Sequence, residues 1–111
     1  MDDEEPIRNA IRMMLNHFGY DTQAVGSAVE ALKALESDRF DLVTTDYSMK
    51  VVKGDELARR IKERWPDLPI LMISAYADTL EVSCYAHVNA VLAKPFMAKE
   101  LKDAVARLLA Q

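Results

Sequence analysis

Apolar residues recur along much of the chain at spacings of three and four, which is typical of helices with one buried face. This spacing begins at Pro6, a residue suited to the first turn of a helix. Ser27 and Glu30 have the spacing of a capping box and predict the start of a second helix. The predicted helices are Pro6 to Phe18, Ser27 to about Asp38, Glu56 to Trp65, a weakly periodic segment from about Thr79 to His87, and Ala98 to Ala110.

Short continuous apolar runs lie between these segments and predict buried strands. They are Phe40 to Thr45, Pro69 to Ser74 and Val91 to Ala93, with a weaker candidate at Thr22 to Val25. Strands that alternate with helices imply a parallel sheet covered on both faces, because each crossover needs a helix. The sequence therefore predicts one α/β domain over residues 1–111.

Composition narrows the class of protein. The 111 residues are half hydrophobic and carry a net charge of −4, which argues against the basic face that nucleic-acid binding requires. The single cysteine, Cys84, cannot form an internal disulfide. No apolar run is long enough for a membrane span, and the N-terminal residues lack the pattern of a signal peptide. We expect a cytoplasmic protein that contacts neither nucleic acid nor membrane directly.

Reactive side chains occupy the ends of the predicted strands. Asp46, Ser74 and Lys94 each follow or end a strand, and Asp2 and Asp3 lie just before the first helix. The carboxyl ends of parallel strands meet at one edge of the sheet, where ligands bind. Carboxylates suit a hard divalent ion such as Mg²⁺, and an aspartate can act as a nucleophile toward phosphorus. We predict Asp46 as a phosphoryl acceptor, with Lys94 and Ser74 holding the phosphoryl oxygens.

The same residues resemble the receiver domains of two-component response regulators, including the chemotaxis regulators. The matching segments are Asp2-Asp3-Glu4, Asp46-Tyr47-Ser48-Met49 with Gly54 eight residues after the aspartate, Ser74-Ala75, and Lys94-Pro95-Phe96. The resemblance covers nearly the whole chain. It implies a flavodoxin-like doubly wound sheet with the strand order 2-1-3-4-5.

The resemblance also implies a set of ligands and partners. Asp3, Asp46 and the backbone carbonyl of Ser48 would bind Mg²⁺ directly, Asp2 would act largely through water, and Mn²⁺ is an alternative ion. Lys94-Pro95 would be a cis peptide. A histidine kinase or a phosphotransfer protein would donate the phosphoryl group, and a downstream protein or effector domain would read the change. Such a switch modifies itself and is not a turnover enzyme.

Three departures from the family pattern stand out. Lys50 replaces the usual proline of the loop, and Val91 stands where an aromatic switch residue is expected. The family's apolar first strand is absent, because only Met1 precedes Asp2. The alternatives are a shortened chain, a strand supplied by another chain, or a rearranged sheet in which the second and third strands meet. Exposed strand edges favour pairing between chains, so we expect a homodimer or strand exchange between chains.

Two further functions compete with the switch. An interaction module independent of phosphorylation is favoured by Lys50, Val91 and the missing strand, but the acids and Lys94 oppose it. An aspartate-nucleophile phosphatase resembles Asp-x-Asp at its nucleophile, whereas Ser48 occupies the second position here.

Overall fold

The computed structural model describes residues 1–47, 53–75 and 87–110. Three parallel strands form its sheet: β1 (Val43–Asp46), β2 (Ile70–Ser74) and β3 (Ala90–Ala93), in the order β1-β2-β3. Val43 pairs with Ile70 on one side of β2, and Leu71 pairs with Ala90 on the other. Every residue of β2 is buried, as expected for the central strand of a parallel sheet. The α/β fold class is confirmed.

The described residues form four helices, which cover this sheet: α1 (Glu5–His17), α2 (Ala28–Ser37), α3 (Gly54–Arg64) and α4 (Ala98–Leu109). Their bounds lie within two residues of the sequence predictions, and Pro6 occupies the first turn of α1 as expected. The predicted helix from Thr79 lies almost entirely outside the described residues. The Lys94-Pro95 peptide is cis, as predicted.

The two faces of the sheet bury separate apolar clusters. On one face, α1 and α4 pack on the sheet, with Ile11, Leu101 and Val105 at the centre. On the other face, α2 and α3 contribute Ala31, Leu57 and other apolar side chains. Burial of both helix pairs holds the carboxyl ends of the strands in fixed positions.

Residues 1 and 2 occupy the edge of β1 opposite β2. The Met1 amino group donates to the Thr44 carbonyl at 2.5 Å, and the Asp46 N–H donates to the Met1 carbonyl at 3.1 Å. This is the hydrogen-bond pattern of a parallel strand pair. On its other side, the Asp2 N–H donates to the Val25 carbonyl at 3.3 Å. A segment of only two residues therefore joins β1 to the chain at Val25.

Beyond Met1 the same edge opens into a groove of about 570 Å³ between β1 and the segment after α1. Its lining mixes apolar side chains such as Leu35, Val43 and Leu109 with charged ones such as Asp38 and Arg39. It borders Met1 and the first residues of β1, Val43 and Thr44. Among the described residues, the edge of β1 beside this groove has no strand partner.

One local prediction was wrong. Residues Thr22 to Val25 form no strand, because the open groove separates them from β1 and gives their backbone no ladder to join. For the same reason, no direct pairing of this segment with β1 is seen in the described part of the chain. The predicted helix start at Ser27 is confirmed: Ser27 is the N-cap of α2 and accepts from the Glu30 N–H at 3.1 Å, and the Glu30 carboxylate accepts from the Gly26 N–H at 3.3 Å.

Candidate functional site

Asp46 and Lys94 meet at the carboxyl end of the sheet. The Lys94 ammonium lies 2.8 Å from Oδ1 of Asp46, whose side chain is almost fully buried. The backbone brings them together because β1 ends at Asp46 and β3 ends one residue before Lys94. A buried carboxylate needs a charged or hydrogen-bonded partner, and Lys94 supplies one to Asp46.

Ser74 joins this edge from the central strand. It is buried, and its carbonyl accepts from the Lys94 N–H at 2.9 Å. This backbone bond ties the start of the Lys94 loop to the end of β2. The three residues predicted for phosphoryl chemistry thus come from three neighbouring strand ends, as the parallel sheet requires.

Gly54 lets α3 begin directly against the backbone of Asp46. A Cβ at Gly54 would lie 2.4 Å from the Asp46 carbonyl oxygen, which no ordinary contact allows. The Gly54 N–H also donates to the Tyr47 carbonyl at 3.0 Å. A larger residue here would push the strand end that carries Asp46, which gives a physical reason for glycine at this place.

The acidic loop approaches Asp46 from the other side. Asp2 is 2% exposed, and its Oδ1 accepts from the Glu4 N–H at 2.9 Å. Among the described residues, Oδ2 of Asp2 is a buried side-chain oxygen without a hydrogen-bond partner. Asp3 follows it and is partly exposed. An unpaired buried carboxylate oxygen is costly, so this atom indicates a place for a bound ion or donor.

The environment of this pocket disfavours the charged form of Asp2. Burial raises the pKa of Asp2 above its usual value, and the neighbouring Asp46 carboxylate raises it further. The Glu4 N–H, Lys94 and the amino terminus act in the opposite direction. Burial also lowers the pKa of the Met1 amino group to about 6. Burial, reinforced by the Asp46 carboxylate, therefore disfavours the charged form of Asp2 in this pocket.

These residues suit Mg²⁺ in part. Within the described ranges, no group of three or more acidic, histidine or cysteine side chains is arranged to hold a metal ion. Mg²⁺ in proteins commonly uses one or two carboxylates and keeps several waters, so three side-chain ligands are not required. The unpaired Oδ2 of Asp2, next to the Asp46 carboxylate, fits that kind of site.

The sequence predictions for the site differ in how far the structure bears on them. Asp46, Lys94, Ser74 and Asp2 come together at one edge. Ser48, whose carbonyl was predicted as a metal ligand, lies outside the described residues, as does Lys50. Val91 is 36% exposed on β3, at the position where an aromatic residue was expected.

Sequence reasoning overlooked Arg8. Its guanidinium donates to the main-chain carbonyl of Asp2 at 3.1 Å, so it contacts the acidic loop directly. Arg8 lies between the inward-facing positions Ile7 and Ile11 of α1, and this flanking position was the available signal for a partly buried charge.

None of the helices in residues 1–47, 53–75 and 87–110 combines the length and apolarity that crossing a bilayer demands.

Comparison with known proteins agrees with the geometry. Residues 1–106 match the family model of the response regulator receiver domain. The chain is 33% identical to the chemotaxis protein CheY of Pseudomonas aeruginosa, over 97% of this chain and 91% of that protein.

Solved structures share the fold. The response regulator TrrA of Thermotoga maritima, crystallised in complex with Mg²⁺ and BeF, aligns with a TM-score of 0.89 and 31% identity, covering 96% of this chain and 93% of that one. The receiver domain of the sensor histidine kinase PA1611 of Pseudomonas aeruginosa, with magnesium in its active-site cleft, aligns with a TM-score of 0.90 and 25% identity, covering 100% of this chain and 94% of that one. The family model, the relatives and the strand-end site together place this chain in the response regulator receiver domain family.

Proposed function

We propose that this receiver domain is a phosphorylation switch whose phosphoryl acceptor is Asp46. The observation that carries the proposal is the buried Asp46 carboxylate, held by Lys94 at 2.8 Å beside the unpaired Oδ2 of Asp2. Asp46 and Lys94 combine a nucleophile with a fixed cation, and Asp2 offers a carboxylate oxygen to a metal ion. Response regulators such as CheY share this general role as receivers in signalling.

In the proposed reaction, a carboxylate oxygen of Asp46 attacks the phosphorus of the donor. A P–O bond forms, and the bond between phosphorus and the donor's leaving group breaks with its electron pair going to that group. Lys94 then exchanges its contact with Oδ1 for a phosphoryl oxygen. The Ser74 hydroxyl, at the neighbouring strand end, is suited to bind another phosphoryl oxygen. Water can later hydrolyse the acyl phosphate and regenerate Asp46.

Mg²⁺, with Mn²⁺ as an alternative, would be held by Asp2, Asp3 and Asp46, and by the Ser48 carbonyl if that loop follows the family pattern. When bound, the ion would offset the repulsion between these acids and an incoming phosphate. The phosphoryl donor that we propose is a histidine kinase or a phosphotransfer protein. The partner that recognises the phosphorylated form is an effector domain or a separate protein.

The deciding experiment is the intact mass of the protein after incubation with a small phosphodonor, with and without Mg²⁺. We expect a metal-dependent gain of about 80 Da, the mass of one phosphoryl group. Asp46→Asn should show no gain. Asp41→Asn is the matched control, because Asp41 is an exposed acid near the other end of β1, and it should gain the same mass as the wild type.

A folded wild-type sample with no mass gain would reject the phosphoacceptor and favour the interaction module. A gain that persists in Asp46→Asn would place the phosphoryl group on another residue.

A further inference from the structure

We propose that Arg8 is a positioning residue for the Mg²⁺ site, and that it works by fixing the peptide between Asp2 and Asp3. This inference rests on the proposed metal-dependent function and adds a residue to it. Arg8 itself would contact neither the metal nor the phosphoryl group.

The first observation is the way in which Asp2 is held. Its N–H donates to the Val25 carbonyl at 3.3 Å, and its own carbonyl accepts from Arg8 Nη1 at 3.1 Å. Its Oδ1 accepts from the Glu4 N–H. Three of its polar groups are thus fixed from three directions, and only Oδ2 is left without a partner. The carbonyl that Arg8 holds belongs to the peptide leading into Asp3, so its orientation also directs the Asp3 side chain.

The second observation is the close packing of the guanidinium on Gly26. A Cβ at Gly26 would lie 2.4 Å from Nη1 of Arg8 and 3.3 Å from Cζ. The flat guanidinium therefore occupies the space that any other residue at position 26 would need. The neighbouring Val25 carbonyl accepts the Asp2 N–H, so this loop supports both the backbone of Asp2 and the group that holds its carbonyl.

Charge alone does not explain Arg8. A cation near a metal site repels the metal, so a purely electrostatic Arg8 would weaken Mg²⁺ binding. The causes that shift the pKa of Asp2 are burial, Glu4, Asp46, Lys94 and the amino terminus. Arg8 contacts Asp2 through the backbone carbonyl and not through the carboxylate. A geometric role and an electrostatic role therefore predict opposite effects of removing the side chain.

The test is Mg²⁺ affinity by isothermal titration calorimetry on the full chain, with unfolding in EDTA measured on the same samples. Arg8→Ala should weaken Mg²⁺ binding by about tenfold, the usual scale for loss of a group that orients metal ligands. Arg8→Lys should recover part of the affinity, because an ammonium can still donate to the Asp2 carbonyl. Arg12→Ala is the matched control, one turn along α1 and of equal charge, and should change the affinity less than twofold.

Gly26→Ala tests the same contact without altering Arg8. It should weaken Mg²⁺ binding in the wild-type background by displacing the guanidinium. In the Arg8→Ala background the new methyl group meets no guanidinium, so it should cause no further loss. If Arg8→Ala fails to fold, Gly26→Ala alone still tests the contact between residue 26 and the guanidinium.

Tighter Mg²⁺ binding by Arg8→Ala would show that the charge of Arg8 dominates and would overturn the proposal. Unchanged affinity with lower stability in EDTA would show a purely structural residue and would also overturn it. A wild type that binds Mg²⁺ in an Arg8-dependent way but gains no phosphoryl mass would reject the proposed function alone. A wild type that binds no Mg²⁺ would reject the positioning role.

Discussion

The two edges of β1 differ sharply in how completely they are paired. Along one edge, all four residues of β1 are in register with β2, which is itself buried throughout. Along the other, Met1 is the residue of the described part of the chain that hydrogen-bonds to β1, and a groove of about 570 Å³ opens beside it. The site at the strand ends is nevertheless assembled. The comparison teaches that the residues of this site come together although, in the described part of the chain, this edge of β1 is hydrogen-bonded at its carboxyl end alone.

The largest expected effect comes from filling the groove. Adding five apolar, β-branched residues before Met1 should stabilise the protein by about 5 kcal/mol, because each buried side chain contributes roughly 1.5–3 kcal/mol and backbone ordering offsets part of the gain. Urea unfolding measures the change. An extension of equal length made of glycine and serine is the control and should give less than about 1 kcal/mol, since it adds no apolar burial. Equal urea midpoints of unfolding for the two extended proteins would show that the groove accepts no strand.

The same groove bears on oligomeric state, which stays a prediction from the sequence. Light scattering of the 111-residue chain should show dimers, and the apolar extension should shift them to monomers by covering the open edge. A monomer with native helix content in the unextended chain would contradict the expected dimer.

A smaller effect on stability is expected from truncating single side chains, and it should differ between the β2 side and the groove side. Leu71→Ala should destabilise the protein by about 3 kcal/mol, because it leaves a cavity in the fully buried central strand. Leu109→Ala should cost less than about 1 kcal/mol, because this side chain borders the groove and is 37% exposed. Chemical denaturation of both variants measures the difference. Similar losses would mean that the groove side is as tightly packed as the β2 side.

The smallest expected effect on stability comes from Asp2, whose Oδ2 has no hydrogen-bond partner. Because the folded-state pKa of Asp2 is raised, the native protein holds this proton more tightly than the unfolded chain. Stability therefore falls as the pH rises from below 3.8, the ordinary value, through the folded pKa, and the cost is fully present above it. At neutral pH in EDTA, Asp2→Asn should be more stable than the wild type by about 1 kcal/mol, as a buried charge with one unpaired oxygen is removed.

Thermal unfolding against pH, with and without Mg²⁺, measures this contribution. Mg²⁺ should stabilise the wild type and have little effect on Asp2→Asn. A variant that is less stable than the wild type in EDTA at neutral pH would show that the carboxylate has a partner in solution.

Much of the fold could be read from local pattern. The apolar periodicity located all four described helices, and the short apolar runs located β1, β2 and β3, because burial on one or both faces imposes these patterns directly on the sequence. Thr22 to Val25 has the composition of a strand but is not one, since a strand depends on a neighbour that composition does not reveal.

The candidate site divides in the same way. The sequence by itself determined that Asp46 and Ser74 end strands, that Lys94 follows one, and that Asp2 and Asp3 precede a helix. Parallel topology then brings the strand ends to one edge. Only the tertiary structure decided that Lys94 pairs with Asp46, that Oδ2 of Asp2 lacks a partner, and that Arg8 packs on Gly26. These contacts join residues distant in the chain through side-chain reach and loop geometry. No spacing along a single sequence encodes such contacts.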